Sequence, residues 1–419
     1  MKKVIIIGAG AAGIFAALKA SEYNNEVYII EKNDQIGKKL RITGKGRCNI
    51  TFDGDQKKFQ ESILANNKFM YSSFKALDNK AVVELFRGIG VETKIERGGR
   101  IFPVSDSATM VVEALNKELK RKNVKIIYSA VAKQLIIEDS KIKGIKYIKN
   151  NKEESVYADK VIITTGGSSY KVTGSTGDGY ILARQAGHSI EKIRAALVPL
   201  KTDKEYELEK LQGLALKNVN VSLKQGEKDI YSEFGEMLFA HFGVTGPVIL
   251  SASSKLTRIK NVEENIKGKN ISISIDLKPA LTMEQLDLRV QRDFEKYTNK
   301  EFRNSLDDLL PKKLIEIIIN RSKISKVKKV NQITKEERLA LINVIKNLDY
   351  KVIDFMPLDT GIVTAGGINV KEVNPKTMES KYIAGLYFAG EVLDLDAYTG
   401  GFNLQIAFST GFAAGTEEE

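Results

Sequence analysis

The stretch Val4-Ile-Ile-Ile-Gly8-Ala-Gly10-Ala-Ala-Gly13-Ile-Phe-Ala-Ala-Leu-Lys-Ala20, near the amino end of a 419-residue chain, decides the fold. Val4 to Ile7 is apolar at every position rather than at alternate ones, the pattern of a parallel strand buried on both faces. Residues 11–20 are rich in alanine and predict a helix that can lie close to that strand. Gly8, Gly10 and Gly13 stand at the turn between the two. There the first glycine permits the turn, the second lets the backbone reach a pyrophosphate, and the third removes the side chain that would separate helix from strand. The positive end of the helix would hold the phosphates. A second apolar run, Val27 to Ile30, ends at Glu31. A carboxylate at that strand tip accepts hydrogen bonds from ribose hydroxyls and repels a 2′-phosphate. The segment is a βαβ unit that binds a dinucleotide.

The same glycines settle what the N-terminus is not. Met1-Lys2-Lys3 followed by an apolar run imitates a secretory signal, but the run is interrupted at Gly8, Gly10 and Gly13. It ends at Lys19, short of the roughly 20 apolar residues of a membrane span, and no other run is long enough. The only cysteine is Cys48 and the only histidines are His188 and His241. These exclude an intramolecular disulfide, a redox-active cysteine pair and a Cys/His zinc site, and a cytoplasmic location is expected. With 42% hydrophobic residues and 33 glycines spread along its length, the chain is globular rather than disordered, and its length calls for more than one core.

Farther along, Val124 to Ile127, Val131 to Ile137, Ile142 to Ile148 and Ser155 to Ala158 read as short strands of an antiparallel meander, with turns at Asp139-Ser140 and Asn150-Asn151. The strand Val161 to Thr165 runs into Gly166-Gly167, where backbone can approach a ligand. Val198-Pro-Leu200 and Met356-Pro-Leu358 bracket a region of different character. Within it Val219 to Leu223, Ile230 to Glu233 and Ile271 to Ile275 alternate as strands do, while Met283 to Tyr297, Leu309 to Asn320 and Lys335 to Leu348 have helical spacing. This predicts a discontinuous dinucleotide-binding domain, residues 1–194 and 356–419, with an inserted domain, 195–355. The insert divides into a barrel-like part, 195–280 with 348–355, and a helical part, 281–347.

Gly385-Leu-Tyr-Phe-Ala-Gly390-Glu391 reads as a strand ending in Gly-Glu, followed by Asp394 and by Gly400-Gly401-Phe-Asn-Leu-Gln405 at the start of a last helix. A helix N-terminus presented to a flavin would stabilise the negative charge of its reduced ring. Such a late element fits FAD and has no counterpart in a simple NAD domain. No second glycine fingerprint follows a later strand, so NAD(P)H, as a transient hydride donor, would reach the flavin directly.

Six longer motifs carry a resemblance. They are Gly37-Lys-Lys-Leu-Arg-Ile-Thr-Gly-Lys-Gly-Arg-Cys-Asn49, Thr165-Gly-Gly-Ser-Ser-Tyr170, Thr173-Gly-Ser-Thr-Gly-Asp-Gly-Tyr180, Leu238-Phe-Ala-His-Phe-Gly-Val-Thr-Gly-Pro247, Asn374-Pro-Lys-Thr-Met-Glu-Ser380 and Gly390-Glu-Val-Leu-Asp394. Together they resemble the bacterial aminoacetone-oxidase-like FAD-binding flavoproteins over nearly the whole chain. The resemblance implies an α/β fold: a glutathione-reductase-type, Rossmann-like FAD domain carrying an inserted β-barrel plus helical domain. It implies flavin contacts at Gly8, Ala9, Gly10, Ala12 and Gly13, at Glu31 and Lys32, and at Lys39, Leu40, Thr43, Gly44, Gly46, Arg47, Cys48 and Asn49. It adds Val131, Thr165, Gly166, Gly390, Glu391, Asp394, Gly401, Phe402, Asn403, Leu404 and Gln405. Lys45, where a small residue is common, and Phe52, where asparagine is usual, depart from the pattern.

The resemblance further implies hydride transfer through flavin N5, between NAD(P)H or a small amine and an activated double bond or oxygen. Reduction of uracil to dihydrouridine in ribosomal RNA is the alternative, and a non-catalytic flavin-binding protein is another. Three residues are candidate proton donors: Cys48, alternatively a thiolate near Arg47 or simply a small packed residue; His241; and Tyr398, beside the flavin-facing loop. Arg47 is a candidate for anchoring the flavin or an anionic substrate. The formal charge of +12 is uneven. Lys312, Lys313, Arg321, Lys323, Lys326, Lys328 and Lys329 cluster in the insert, and Lys141, Lys143, Lys146, Lys149 and Lys152 make a basic hairpin. Such runs are either solvated faces or, in the insert, a platform for RNA. A small-molecule substrate, no metal and no membrane complete the expectation.

Overall fold

In the computed structural model of the chain, which describes residues 1–417, Val4, Ile5 and Ile6 are wholly enclosed and Ile7 nearly so. They lie in strand Lys2–Ile7, the centre of a five-stranded sheet in the order Leu386–Phe388, Lys160–Ile163, Lys2–Ile7, Asn25–Ile30, Lys125–Ile127. Every pairing in it is parallel, which is why its strands are apolar throughout. The expectation that residues 124–127 join the antiparallel meander is corrected here. Lys125 pairs in parallel with Tyr28, because helix Ala108–Arg121 supplies the crossover that a parallel neighbour requires.

The meander has three strands, Ala130–Glu138, Lys141–Lys149 and Lys152–Tyr157. At both of its turns the two central residues, Asp139-Ser140 and Asn150-Asn151, have positive φ, as two-residue hairpins demand. Residues 53–123, not assigned from the sequence, contain the helices Gln56–Ser62, Tyr71–Ala76, Asn79–Gly88 and Ala108–Arg121. Asp55, Asp78 and Ser107 cap three of them by accepting a backbone N–H in the first turn.

The chain divides into two units, Met1–Ala196 with Pro357–Glu419, and Leu197–Met356. The second unit is built on a closed barrel of six strands, Leu200–Thr202, Gly243–Thr245, Lys228–Ala240, Ala215–Gln225, Ile271–Asp276 and Leu348–Phe355. Strand Ala215–Gln225 begins earlier than its alternation suggests, because a bulge between Leu216 and Val219 interrupts the pattern, with Asn218 at φ 57°. Helices Met283–Lys296 and Lys335–Lys346 open on capping boxes, Thr282 with Gln285 and Thr334 with Glu337. The helix expected from Leu309 instead starts at Lys312, since Pro311 fits the entry to a helix better than its interior.

In the first unit, helix Phe402–Gly415 lies against helix Ala11–Ala20, with Phe408 stacked on Phe15 at 4.1 Å between ring centroids. The close approach depends on missing side chains. A Cβ at Gly411 would overlap the Ala12 carbonyl oxygen, and one at Gly415 the Ala16 carbonyl oxygen. Backbone cannot yield as a flexible side chain can. Gly411→Leu is therefore expected to destabilise the protein by about 3 kcal/mol, read as a lower urea midpoint with an unchanged slope.

Candidate functional site

The glycines of the first turn fall into two groups by what surrounds them. A Cβ at Gly8, whose φ is +103°, would stand 2.8 Å from the Thr164 carbonyl oxygen, and one at Gly13 would overlap the Gly8 carbonyl oxygen. Both are fixed by packing. Gly10 is different: a Cβ there meets nothing within 4 Å, so the chain keeps open space in front of it. Helix Ala11–Ala20 has no side-chain cap and no acidic residue in its first turn, which leaves its leading N–H groups to an anion.

Glu31 closes one side of this loop. It is buried, and its Oε2 accepts the Ala9 N–H at 2.7 Å while Oε1 accepts the Asn33 N–H and side-chain amide, each at 2.7 Å. The carboxylate is thus held in place, with further lone pairs able to take ribose hydroxyls. Val131 follows directly, since the Ala130 N–H donates to the Glu31 carbonyl at 3.0 Å. Lys32 turns to Asp178 at 2.6 Å and ties the Glu31 tip to the start of helix Asp178–Gln185.

The segment from Gly37 to Asn49 is compressed by consecutive left-handed residues, Gly44, Lys45 and Gly46, with Cys48 next but one. The side chains at Lys45 and Cys48 make this costly, of order 1 kcal/mol each. Leu40 is buried, and the Thr43 hydroxyl donates to the Leu40 carbonyl at 2.7 Å. With its amide oxygen turned to the terminal helix, Asn49 accepts the Gly401 N–H at 2.9 Å and donates to Thr51 and Ile101 carbonyls.

Two proposed roles in this segment meet opposition from the structure. Cys48 is wholly buried and its thiol is pushed up to about 12 by that burial, against a smaller opposing hydrogen bond with Thr43. It is a neutral thiol, not a thiolate. Nor does Arg47 attend it. The guanidinium binds Asp106 at 2.6 Å and Glu96 on the other side, and lies 4.2 Å from the Phe102 ring centroid. Its charge is already matched by two carboxylates, which disfavours anchoring a flavin or an anionic substrate.

Lys39 and Glu391, far apart in sequence, form an ion pair at 2.8 Å. Glu391 Oε1 also accepts the Ser169 hydroxyl at 3.1 Å and the Thr364 N–H at 2.9 Å. One carboxylate therefore ties together the Gly37 to Asn49 segment, the loop after Ile163, strand Val363–Ile368 and the loop after Phe388. Beside it Gly166 and Gly390 have φ of +73° and +79°. The Thr165 hydroxyl oxygen is buried with no hydrogen-bond partner among the described residues.

At the C-terminal end, Asp394 accepts from the Asn66 amide at 3.0 Å. Asn403 clasps both polar groups of the Ala397 backbone, at 3.0 and 2.8 Å. Gln405 is fully buried, accepting from Thr51 and donating to the Leu77 carbonyl and Ser409. Asn403 and Gln405 thus work inward, to shape the loop that precedes the helix. Phe402 packs on Phe52 at 4.8 Å between ring centroids, so the departure at residue 52 fills this wall with an aromatic ring. Helix Phe402–Gly415 again has no side-chain cap, leaving the N–H groups near Phe402, Asn403 and Leu404 at its open end.

Tyr398 is half-buried on the loop between Asp394 and Gly401. His241 belongs to the second unit, where it is exposed in the turn between strands Lys228–Ala240 and Gly243–Thr245. The cationic cluster is largely occupied. Arg321 binds Glu207 at 2.5 Å, Lys328 binds Glu337 at 2.7 Å, and Lys313 and Lys329 donate to the carbonyls of Gln212 and Asn299. Lys312, Lys323 and Lys326 are exposed. In the basic hairpin Lys146 faces Glu153 at 3.5 Å. No helix among the described residues is long and apolar enough to cross a membrane.

Two uncapped helix ends, open space at Gly10 and an anchored Glu31 fit a dinucleotide. Ser169, Thr364, Asn33 and Asn66 take part without having been singled out from the sequence; only Ser169 lay in a quoted motif.

Comparison with known proteins gives four findings. Residues 2–417 match the family described as HI0933-like protein Rossmann domain. The chain is 33% identical over 425 residues, covering 99% of it and 98% of the relative, to a 3-dehydro-bile acid delta(4,6)-reductase of Clostridium scindens. It is 30% identical over 414 residues, 98% of it and 96% of the relative, to a ribosomal RNA dihydrouridine synthase of Haemophilus influenzae. Among solved structures, 3-ketosteroid delta1-dehydrogenase from Sterolibacterium denitrificans shares the fold, with a TM-score of 0.53, 13% identity and 99% of each chain covered.

The open space at Gly10 makes a clean test. Gly10→Val should leave the stability of the flavin-free protein within about 1 kcal/mol of the unaltered one, yet abolish retention of FAD. Purification followed by the flavin absorbance and a urea melt measures both.

Proposed function

The chain belongs to the HI0933-like family of FAD-binding Rossmann proteins and is an FAD-dependent oxidoreductase, and from that premise we propose that it reduces an activated carbon–carbon double bond in a small, largely apolar substrate. The observation that carries this reading is the collinear likeness, over 99% of the chain, to a bile acid delta(4,6)-reductase. FAD, when bound, would supply hydride-transfer chemistry through its N5, with NADH or NADPH as the source of reducing equivalents.

The chain's own residues have separable tasks. The loop Gly8 to Gly13 and the open end of helix Ala11–Ala20 bind the pyrophosphate, and Glu31 accepts the ribose hydroxyls. Glu391, braced by Lys39, Ser169 and Thr364, orients the remaining polyhydroxyl chain. The open end of helix Phe402–Gly415 provides positive potential where negative charge accumulates. A carbanion formed beside a carbonyl must also be protonated. Tyr398, half-buried on the loop before that helix, suits this better than the buried Cys48.

A second reading, saturation of uracil in ribosomal RNA, is favoured by the likeness to the dihydrouridine synthase and by the exposed Lys312, Lys323 and Lys326. The pairing of Arg321 with Glu207 and of Lys328 with Glu337 weighs against it.

One experiment separates these. Under anaerobic conditions NADH or NADPH should bleach the flavin absorbance, and a conjugated steroid-like enone should restore it, whereas uracil-containing ribosomal RNA fragments should not. Restoration by RNA alone would favour the second reading, and a flavin that neither nicotinamide bleaches would replace the donor by an amine.

A further inference from the structure

The motif Asn374-Pro-Lys-Thr-Met-Glu-Ser380 has been given no task so far. It lies along the edge strand Leu386–Phe388. The Ser380 N–H donates to the Leu386 carbonyl at 2.7 Å, the Phe388 N–H to the Met378 carbonyl at 3.0 Å, and the Gly385 N–H to Glu379 Oε1 at 2.7 Å. Two residues beyond Phe388 the chain reaches Gly390-Glu391. A histidine holds the motif from its other side. His188 is 3% exposed, its Nε2 lies 2.7 Å from the Ser380 hydroxyl oxygen, and its ring stands edge-on to that of Phe388 at 4.7 Å between centroids. Serine, histidine and the nearby Glu372 have the order of a hydrolytic triad, but this hydroxyl is not free to attack. It already accepts the Tyr382 and Ile383 N–H groups at 3.1 and 3.0 Å. A hydroxyl has two acceptor positions and one proton, so Ser380 donates to Nε2 and the neutral imidazole carries its own proton on Nδ1.

Nδ1 lies 3.2 Å from Glu372 Oε2, near enough for the charge to act though not aligned as a hydrogen bond. Glu372 is itself held by the Ser189 N–H and hydroxyl at 2.9 and 2.5 Å. Tyr382, at 4.9 Å between ring centroids, is the other titratable side chain against the imidazole. The Lys381 ammonium is engaged by the Lys371 carbonyl at 2.8 Å, and Arg184 and Lys371 are exposed. Burial holds His188 below the ordinary histidine range, against the opposing charge of Glu372. In acid, a proton on Nε2 would meet a hydroxyl whose acceptor positions are filled, and the bond to Ser380 would be lost. We propose that His188 is a positioning residue for the cofactor: its neutral ring braces Ser380 and Phe388, and through them the strand end that presents Glu391 to FAD, and acid releases that brace. The proposal rests on the assignment of Glu391 to the FAD site. Its sign follows from linkage. A histidine held below its ordinary pKa favours the folded arrangement above that value, and the advantage is lost as the pH falls through the range beneath it.

The test measures FAD affinity by titrating the flavin-free protein at about pH 8 and about pH 5, for the unaltered chain, His188→Gln and Ser380→Ala. Glutamine can accept the Ser380 hydroxyl but does not titrate. The unaltered protein should bind FAD about fivefold more weakly in acid. His188→Gln should hold its affinity within about twofold across the same change, and Ser380→Ala should show the weaker affinity at both pH values. Unchanged affinity of the unaltered protein in acid would overturn the proposal, as would an acid loss in His188→Gln equal to that of the unaltered chain. Ser380→Ala with the full pH response would overturn it without reference to the glutamine variant. Glu391→Gln that binds FAD as tightly as the unaltered protein would instead remove the assignment on which the proposal rests.

Discussion

A helix can approach a strand only as closely as its side chains allow, and at Gly13 there is none. A Cβ there would overlap the Gly8 carbonyl oxygen and come within 2.6 Å of the Thr164 hydroxyl. This one contact sets the depth at which helix Ala11–Ala20 sits on the parallel sheet. The depth in turn brings the helix end to the tips of the strands, where Glu31 and the residues after Ile163 and Phe388 gather. An adjoining face of the same helix repeats the device, with Gly411 and Gly415 of the terminal helix lying against Ala12 and Ala16. Two helices are therefore fixed to each other through backbone contact, and both present uncapped N-termini within one unit.

Around that frame the polar groups divide between holding the protein and holding a ligand. Arg47, Asn403 and Gln405 spend their hydrogen bonds inside the chain. Gly10 does not: it keeps space open where a side chain would stand. Glu391 does both, since a carboxylate has more acceptor sites than the lysine, serine and backbone amide around it fill. Four chain segments are joined through this single anion.

Legibility in the sequence followed the same division. The βαβ unit could be read because phosphate binding demands glycines at fixed spacing and a carboxylate at one strand tip. The alternation of the barrel strands was visible except where Asn218 turns left-handed in a bulge. The Glu391 hub was not visible. Lys39 lies 352 residues from its partner, and Thr364 contributes a backbone N–H that any residue but proline would offer. Within residues 53–123 the helices Gln56–Ser62 and Tyr71–Ala76 are short, with seven and six residues, whereas Ala108–Arg121 buries Ala108, Val111, Val112, Leu115 and Leu119, an apolar period that was legible in the sequence. The thiol of Cys48 shows the limit from the other side, for its place beside Arg47 in sequence suggested a thiolate, while burial favours the neutral thiol and the Arg47 guanidinium turns to Glu96 and Asp106.

The central claim is that the unit built on Lys2–Ile7 and Ala11–Ala20 holds FAD. The most direct measurement is the identity and amount of nucleotide released by acid from the purified, native protein, determined by chromatography and mass spectrometry after reconstitution with a mixture of FAD, FMN and NAD. FAD is expected in stoichiometric amount, with no FMN or NAD retained. Stoichiometric NAD, or a folded protein that retains no nucleotide at all, would contradict it.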